Sequence, residues 1–373
     1  MFLAFKEMRR AKARFGLLMA AIGLLVFLIL FQQTLQVGLI DAFVGGLRNQ
    51  SAQVLVFSVD GRRNLQGSII TPPQEQQIRQ VDGVAQAGKI GERSFTATAA
   101  GKLTSLVMVG YEVEGIGSPT TLAQGRYPSA PGEVIASDAD ASIGFAIGDT
   151  VRLDPGGYEL KVVGTAADSK LFAAPTVYTT YETYGQAVRA FNPDAAAPLP
   201  SVMGLNPVPG VTAEQLAERV NATSTDLDAL TRTQAADQTP GVSQIQQSFQ
   251  VIFLLYGLVV PFVTGLFFLI ITFQKAGSLT LLRALGAPGG RLVWSLMIQV
   301  VVVIVAGVAI GTVLYTPLAN GKVGGLTLTF QSGAVLFWGV LLLVLGVLSA
   351  LFSAQRVLKI DPIAATTGAG VER

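Results

Sequence analysis

Residues 15–31 read FGLLMAAIGLLVFLILF, a run without a charged residue that directly follows the basic stretch KEMRRAKAR at residues 6–14. An α-helix needs about 20 apolar residues to cross the roughly 30 Å hydrocarbon core of a bilayer. A signal peptide is the alternative interpretation, but its apolar core is normally about 7–15 residues long and ends at a small-residue cleavage site. This run is longer and ends in Phe31-Gln32-Gln33, which favours a retained membrane helix.

Three more apolar runs lie towards the other end of the chain, at Val251–Phe273, Leu292–Tyr315 and Ala334–Phe352, and none contains Asp, Glu, Lys or Arg. A buried helix of a soluble protein could explain one such run, but four together predict a membrane protein with four transmembrane helices. Composition agrees, because only 13% of the residues are charged, compared with about 25% in soluble domains. Pro261 inside one run is compatible with a span, since neighbouring helices can satisfy the freed backbone groups.

Basic residues in short loops predict the orientation, because cytoplasmic loops are enriched in Lys and Arg. They precede the first run, separate the second from the third, and follow the fourth: Lys6, Arg9, Arg10, Lys12, Arg14, Lys275, Arg283, Arg291, Arg356 and Lys359. The loop between the third and fourth runs has only Lys322. We therefore expect a multi-pass protein of a bacterial plasma membrane with both termini in the cytoplasm.

The long block between the first two runs has the pattern of a folded α+β domain. Residues 37–249 carry 14 Lys and Arg against 21 Asp and Glu, so the acids are concentrated outside the membrane. Strands are predicted at Val54–Val59, Leu103–Val109 and Glu159–Val163. Helices are predicted to start after Thr71, which Pro72 follows, and after Thr212 as N-cap. The Pro- and Ala-rich stretch 192–209 is expected to be a mobile connection.

Several function classes are excluded or disfavoured by what the sequence lacks. It contains no cysteine and no histidine, which excludes disulfides, zinc sites built on thiolate or imidazole, and His-dependent triads. The acid pairs Asp138 with Asp140 and Glu112 with Glu114 are spaced for a solvated strand or loop face, so we predict no enzyme site. A proton-coupled transporter would place ionisable residues inside the spans, and these runs have none.

The segment at residues 274–293, QKAGSLTLLRALGAPGGRLV, resembles the cytoplasmic coupling segment of the FtsX-like/MacB-type ABC transporter permeases (type VII ABC superfamily). Other stretches resemble the same family in order along the chain. They are FLAFKE at 2–7, GRYP at 125–128, GEV at 132–134, GDTV at 148–151, VVG at 162–164 and KIDPI at 359–363. Within the family the chain looks most like the HrtB/DevC branch.

This resemblance implies an α-helical membrane protein with a MacB-type periplasmic core domain between the first and second helices. The expected order is a cytoplasmic amphipathic elbow (1–14), helix 1 (15–35), the extracytoplasmic domain with stalk ends (36–250), helix 2 (251–273), a cytoplasmic coupling segment (274–291), helix 3 (292–316), a short outer loop (317–333), helix 4 (334–353) and a cytoplasmic tail (354–373).

The resemblance also implies partners. The chain has no GxxxxGKS or GxxxxGKT motif, so it cannot bind ATP in the P-loop manner, and no cofactor is expected in it. A separate ABC ATPase subunit, itself a homodimer, is expected to bind ATP and Mg, while this chain forms a homodimer. The HrtB/DevC branch points to a hydrophobic small molecule, haem or a lipid-like compound, and no nucleic acid is expected.

The predicted contact with the ATPase is a short helix in the coupling segment. Leu281, Leu282 and Leu285 fall on one side of such a helix, Arg283 remains available for a carboxylate, and Gly286 ends the helix. The predicted ATPase-coupling residues are Leu281, Leu282, Arg283, Ala284, Leu285 and Gly286. The alternative is an interfacial loop whose leucines lie among the lipid headgroups.

The substrate site is predicted less directly, from polar residues near the outer ends of the first two spans: Gln32, Gln33, Gln36, Gln250 and Tyr256. The alternative is that these residues only cap helices at the interface. Two functions stay open at this point: ATP-driven export of a hydrophobic or amphipathic compound, or mechanotransmission that drives an extracytoplasmic partner such as a cell-wall hydrolase.

Overall fold

A computed structural model describes residues 8–194, 198–274, 288–319, 321–323 and 326–358. The chain divides into two compact units. The helical unit comprises residues 1–35, 248–321 and 328–373, and the sheet unit comprises residues 36–247 with 322–327.

The helices of the two units, in chain order, are α1 (Lys12–Arg48), α2 (Pro72–Arg79), α3 (Tyr181–Phe191), α4 (Ala213–Thr223), α5 (Arg232–Asp237), α6 (Val242–Gln274), α7 (Gly289–Tyr315) and α8 (Ser332–Leu358). The strands are β1 (Val54–Ser58), β2 (Val84–Ala99), β3 (Lys102–Tyr111), β4 (Gln124–Gly125), β5 (Glu133–Ser137), β6 (Thr150–Asp154), β7 (Glu159–Ala166), β8 (Thr176–Thr180), β9 (Val202–Pro207), β10 (Leu227–Thr231), β11 (Lys322–Val323) and β12 (Leu326–Thr327).

Four of these helices, α1, α6, α7 and α8, are long and apolar enough to cross a membrane. They contain the four charge-free runs, and the mixed α/β domain lies between α1 and α6 in the sequence. The predicted fold class is therefore confirmed. α1 and α6 are longer than the predicted spans, because a span is the apolar part of a helix and a helix can continue through polar sequence.

Glycines set the close approach of α1 and α7 inside the helical unit. A Cβ atom on Gly311 would lie 2.6 Å from the carbonyl oxygen of Gly23, and a Cβ atom on Gly307 would lie 2.6 Å from the side chain of Ile22. Small residues let membrane helices approach closely, because helix association in lipid depends on van der Waals packing. α1 and α7 therefore pack backbone against backbone at these positions.

The sheet unit contains a ten-stranded mixed sheet in the order β10-β1-β9-β2-β3-β8-β5-β7-β4, with β6 paired to β2 and β7. Most neighbours are antiparallel, while β3 with β8 and β5 with β7 are parallel. Helix α4 packs on the β1 and β10 end of the sheet, and α3 packs on β2 and β3. The long strand β2 pairs with β9, β3 and β6, so it connects the two ends of the sheet.

The three predicted strands and both predicted helix starts are present. At α4, the backbone N–H of Gln215 donates to Thr212 Oγ1 at 3.2 Å and the N–H of Thr212 donates to Gln215 Oε1 at 3.1 Å. This reciprocal pair satisfies two donors that a helix N-terminus leaves without partners.

Two expectations were wrong. Residues 192–209 are not simply a mobile connection, because they include β9, which lies between β1 and β2 with Val202, Met203 and Leu205 fully buried. Asp140 is not on a solvated face, because it is only 2% exposed. Its Oδ1 atom forms an ion pair with Lys170 Nζ at 2.7 Å. In both places long-range partners, which spacing along the chain does not reveal, decide the burial.

Candidate functional site

The helical unit contains a cavity of about 710 Å³ that is widely open to the surface, which we call the α6–α8 cavity. α6 supplies the largest share of its wall, α8 the next and α1 one residue. The lining residues are Gln33, Gln250, Phe253, Leu254, Gly257, Leu258, Phe337, Trp338 and Leu341.

The α6 wall follows from helical spacing. Gln250, Phe253, Leu254, Gly257 and Leu258 stand at positions i, i+3, i+4, i+7 and i+8, which share one face of a helix. Leu254 is 67% exposed and Leu258 is 62% exposed in the isolated chain. A soluble protein would not expose the apolar face of α6 that contains Leu254 and Leu258. A membrane helix can present such a face to lipid, to another chain or to an apolar ligand.

Gly257 leaves room in this wall. A Cβ atom added there would have no other atom within 4 Å. Larger residues at position 257 can therefore enter the cavity without displacing the protein, and the glycine adds to the cavity's volume.

Polar groups are few and lie together. Trp338 Nε1 donates to Gln33 Oε1 at 3.4 Å, and the indole ring packs against Phe253 with ring centroids 5.3 Å apart. Trp338 itself is 5% exposed, while Gln250 presents a second amide to the same cavity. A mostly apolar wall with a small number of polar groups is typical of a small-molecule site.

The structure brings together two of the predicted pocket residues, Gln33 and Gln250. Gln32 is half-buried in α1 and is not part of the cavity lining. Tyr256 packs against the buried apolar core of the helical unit, and Gln36 belongs to the sheet unit. Whether any of these five residues binds a ligand stays a prediction.

Trp338 was missed from the sequence. Tryptophan is enriched at membrane interfaces, which could have marked α8 as a third wall. However, a Trp that faces lipid and a Trp that faces a neighbouring helix have the same local sequence signal, so only the packing separates them.

A buried polar contact lies next to Gln33 on α1. The hydroxyl groups of Thr34 and Tyr315 are hydrogen-bonded, and Tyr315 also donates to the carbonyl oxygen of Thr329 at 3.5 Å. Thr34 and Tyr315 are each 1% exposed. In an apolar surrounding such polar contacts resist separation, since each unpartnered group would carry a desolvation cost, so the contact joins α1 to the end of α7.

The other end of the helical unit carries the basic residues. Arg14 at the start of α1 donates a hydrogen bond to the side-chain oxygen of Gln274 at the end of α6. The predicted coupling residues follow that end of α6 in sequence and lie outside the described residues: Leu281, Leu282, Arg283, Ala284, Leu285 and Gly286.

Metal chemistry has no support in the part of the chain that the structure describes. No group of three or more Asp or Glu side chains there could hold a metal ion. The mostly apolar lining of the α6–α8 cavity suits non-covalent binding of an apolar compound.

Proteins similar to this chain over its whole length are named as ABC transporter permeases. No protein-family model matches the chain. The hemin transport system permease protein named HrtB of Staphylococcus haemolyticus is 24% identical over 380 residues, covering 99% of each chain. An uncharacterized ABC transporter permease of Mycobacterium tuberculosis is 24% identical over 377 residues, again covering 99% of each chain. The chain is thus similar along its whole length to proteins named as ABC transporter permeases, which confirms the predicted resemblance to such permeases.

Among solved structures, the periplasmic region of MacB from Actinobacillus actinomycetemcomitans aligns with a TM-score of 0.36 and 16% identity, covering 55% of this chain and 95% of that one. The extracellular domain of the ABC-type transporter YknZ from Gram-positive bacteria aligns with a TM-score of 0.35 and 16% identity, covering 48% of this chain and 99% of that one.

Proposed function

We propose that this permease exports a hydrophobic or amphipathic compound, haem or a lipid-like molecule, with energy from ATP hydrolysis by a separate ABC ATPase. The α6–α8 cavity carries this proposal. Its volume of about 710 Å³ lies within the roughly 300–1,000 Å³ of small-molecule pockets, and its wall combines apolar side chains with two amides and one indole N–H.

Haem is supported by the name of the relative HrtB, and the cavity restricts how haem could bind. The nine described lining residues include no Met, Tyr, Asp or Glu, and the chain has no His or Cys. A haem in this cavity would be held by its faces against Phe253, Phe337 and Trp338, with its carboxylates accepting hydrogen bonds from Gln33 and Gln250. Iron ligation by the cavity wall is not part of this proposal.

The orientation follows from the basic end of the helical unit. Both termini and the segment after α6 lie in the cytoplasm in this proposal, because Arg14 and Gln274 contact one another and basic residues favour the cytoplasmic side. The ATPase subunits bind ATP and Mg there and press on residues 281–286. Two copies of the permease complete the pathway in this proposal, and the exposed apolar face of α6 is compatible with contact to a second copy.

The test is to fill the cavity. Gly257→Phe should place an aromatic ring in the cavity, whereas Gly16→Phe on α1, also with nothing within 4 Å of its Cβ, serves as the matched control. Cells that express each variant with the ATPase are assayed for resistance to haem and to membrane-active compounds, and for cell separation.

Loss of resistance with the cavity-filling variant alone, at equal membrane levels and equal co-purification with the ATPase, supports export. Normal resistance with defective cell separation would instead favour mechanotransmission. Normal behaviour in both assays would remove the cavity from the function.

A further inference from the structure

The α6–α8 cavity reaches the main chain of α6 at Gly257. This residue lines the cavity, and because glycine has no side chain, it can do so only through its backbone atoms. A Cβ atom built on Gly257 would have nothing within 4 Å. No other atom therefore covers the side of Gly257 on which a side chain would stand, and a bound compound can approach the backbone there.

Pro261, four residues later in α6, leaves the carbonyl group of Gly257 without its usual donor. In an α-helix each carbonyl oxygen accepts a hydrogen bond from the backbone N–H of the residue four positions later. Proline has no backbone N–H, and Pro261 lies inside α6. The carbonyl oxygen of Gly257 is thus an acceptor that the α-helical hydrogen-bond pattern leaves unused.

Neighbouring hydroxyl groups do not replace the missing donor. Ser and Thr side chains often satisfy the carbonyl groups that a proline frees in a membrane helix. Here the hydroxyl of Thr264 donates to the carbonyl oxygen of Val260 at 2.8 Å, and the hydroxyl of Ser349 on α8 donates to that of Pro261 at 2.8 Å. Among the described residues, no side chain donates to the carbonyl oxygen of Gly257.

The surroundings of this carbonyl group are apolar. Gly257 lies seven residues after Gln250, so the two positions are about 10 Å apart along the helix at 1.5 Å per residue. The lining residues between them, Phe253 and Leu254, are apolar, and lipid tails offer no donor either. A carbonyl group without a donor in such surroundings carries a desolvation cost, which a bound O–H or N–H group would remove.

We propose that the α6–α8 cavity selects compounds that combine an apolar body with a hydroxyl or amide N–H group, which donates a hydrogen bond to the carbonyl oxygen of Gly257. This inference rests on the proposed export function and specifies its lipid-like substrate as an alcohol or an amide. A second polar group of the same compound, about 10 Å away, reaches Gln250. Ionised haem carboxylates donate no hydrogen bond, so this acceptor favours such a lipid-like compound over haem.

Pro261 is a positioning residue in this proposal, because it acts only through the carbonyl group of Gly257. A purely structural role of the proline would change the affinity for all apolar compounds alike. The proposed role changes the preference for a donor over an otherwise equal compound without one, and that preference is the quantity to measure.

The two tryptophans of the chain allow binding to be measured in the cavity itself. Trp338 lines the cavity, whereas Trp294 is 64% exposed and is not part of the lining. In a Trp294→Phe background, quenching of tryptophan fluorescence by a brominated compound therefore reports on Trp338. The probes are ω-bromodecanol and its isomer ω-bromononyl methyl ether, which has the same atoms but no donor.

The experiment uses the full-length protein in nanodiscs of phosphatidylcholine, a lipid without a hydrogen-bond donor. Partition of each probe into protein-free nanodiscs gives its concentration in the bilayer. Pro261→Ala is compared with a variant that carries the α-hydroxy acid analogue of alanine at position 261, introduced by nonsense suppression. Both lack the proline ring, but only alanine supplies an N–H that can donate to the carbonyl oxygen of Gly257.

We expect the alcohol to bind the Trp294→Phe protein about two- to tenfold more tightly than the ether, which corresponds to the net contribution of one hydrogen bond. Pro261→Ala should abolish this preference and leave the affinity for the ether unchanged, because the new N–H occupies the carbonyl oxygen. The hydroxy-acid variant should keep the preference, since an ester oxygen cannot donate.

Equal affinities of the two probes for the Trp294→Phe protein would overturn this inference alone, because the cavity would still bind apolar compounds. A preference that persists in Pro261→Ala would overturn it as well. Loss of the preference in both variants at position 261 would assign it to the shape of α6 and overturn the role of the Gly257 carbonyl group. Absence of quenching by either probe would overturn the cavity as a binding site, and with it both the proposed function and this inference.

Discussion

Replacing Lys170 by Met should destabilise the sheet unit strongly at neutral pH and much less at acidic pH. Lys170 is the ion-pair partner of Asp140 at 2.7 Å, and the two side chains are 10% and 2% exposed. Met retains most of the apolar volume, so the main change is a buried carboxylate without its cation. Breaking a buried pair in this way typically costs about 3–5 kcal/mol.

The structure also sets an upper bound on this loss, because Asp140 can escape the unpaired charge by binding a proton. Burial, the largest influence, already raises the pKa of Asp140 despite the hydrogen bond and charge of Lys170. Protonating a carboxyl group of ordinary pKa 3.8 costs about 1.4 kcal/mol per pH unit above that value, hence about 4 kcal/mol at pH 7 and about 1.6 kcal/mol at pH 5. We therefore expect a loss of about 3–4 kcal/mol at pH 7 and at most about 1.6 kcal/mol at pH 5.

The direction of this pH dependence follows from the linkage between proton binding and folding. A carboxyl group whose folded pKa lies above its unfolded pKa favours the folded state when it is protonated, so stability falls as pH rises through the folded value. The assay is native-state hydrogen exchange of the β5 and β8 amides in the full-length protein, which gives the free energy of opening around Asp140. The double variant Lys170→Met with Asp140→Asn should recover much of the loss. A loss at pH 7 below 1 kcal/mol, or one equal at both pH values, would refute the reasoning.

Three further predictions concern the helices and the topology. Gly311→Ala should lower the free energy of unfolding of the helical unit by about 1–3 kcal/mol, because the new methyl group overpacks the contact between α1 and α7. The control Gly16→Ala, where a Cβ atom has nothing within 4 Å, should leave it unchanged. Equal melting temperatures of the two variants would contradict this prediction. Leu285→Asp should abolish stimulated ATPase activity of the complex, because a charge would replace an apolar side chain in a desolvated contact; an unchanged ATPase rate would disprove the coupling assignment. In this cysteine-free chain, an impermeant thiol reagent applied to intact cells should label Ala222→Cys but not Ser278→Cys; the reverse pattern would invert the proposed orientation.

The arrangement of the membrane helices could be predicted from the sequence because a bilayer imposes a simple rule. A span needs about 20 apolar residues, and the charge-free runs at 15–31, 251–273, 292–315 and 334–352 meet or approach that requirement without any information about packing. The cap of α4 was equally accessible, because Thr212 and Gln215 act within one helical turn. The length of an apolar run and a helix cap depend on residues close together in the sequence, so long-range packing does not change these predictions.

Burial inside the sheet unit could not be predicted in the same way. β9 is short, follows several prolines, and is identified only once β1 and β2 flank it on both sides. Asp140 looks like a solvated loop residue until Lys170, thirty positions later, is brought against it. Glu92 is a more demanding case, because its neighbours in sequence, Arg93 and Ser94, are exposed and give no indication that its own carboxyl group is enclosed.

The α6–α8 cavity could be predicted better than the burial in the sheet unit but less well than the membrane helices. Two of its polar residues were predicted, and its aromatic wall was not. Gln33 and Gln250 are polar residues at the ends of apolar runs, where a membrane protein has reason to place an amide either as a cap or as a ligand contact. Phe253 and Trp338 are aromatic residues in apolar helices, where lipid, a second helix and a ligand would all be suitable neighbours. Only the rotation of each helix about its axis distinguishes these neighbours, and that rotation depends on packing such as the Gly23 to Gly311 contact between α1 and α7. Under the proposed export function the consequence is specific: substitutions at Phe253 and Trp338 should alter which compounds the cells resist, while substitutions at Gly311 should alter the stability of the helical unit.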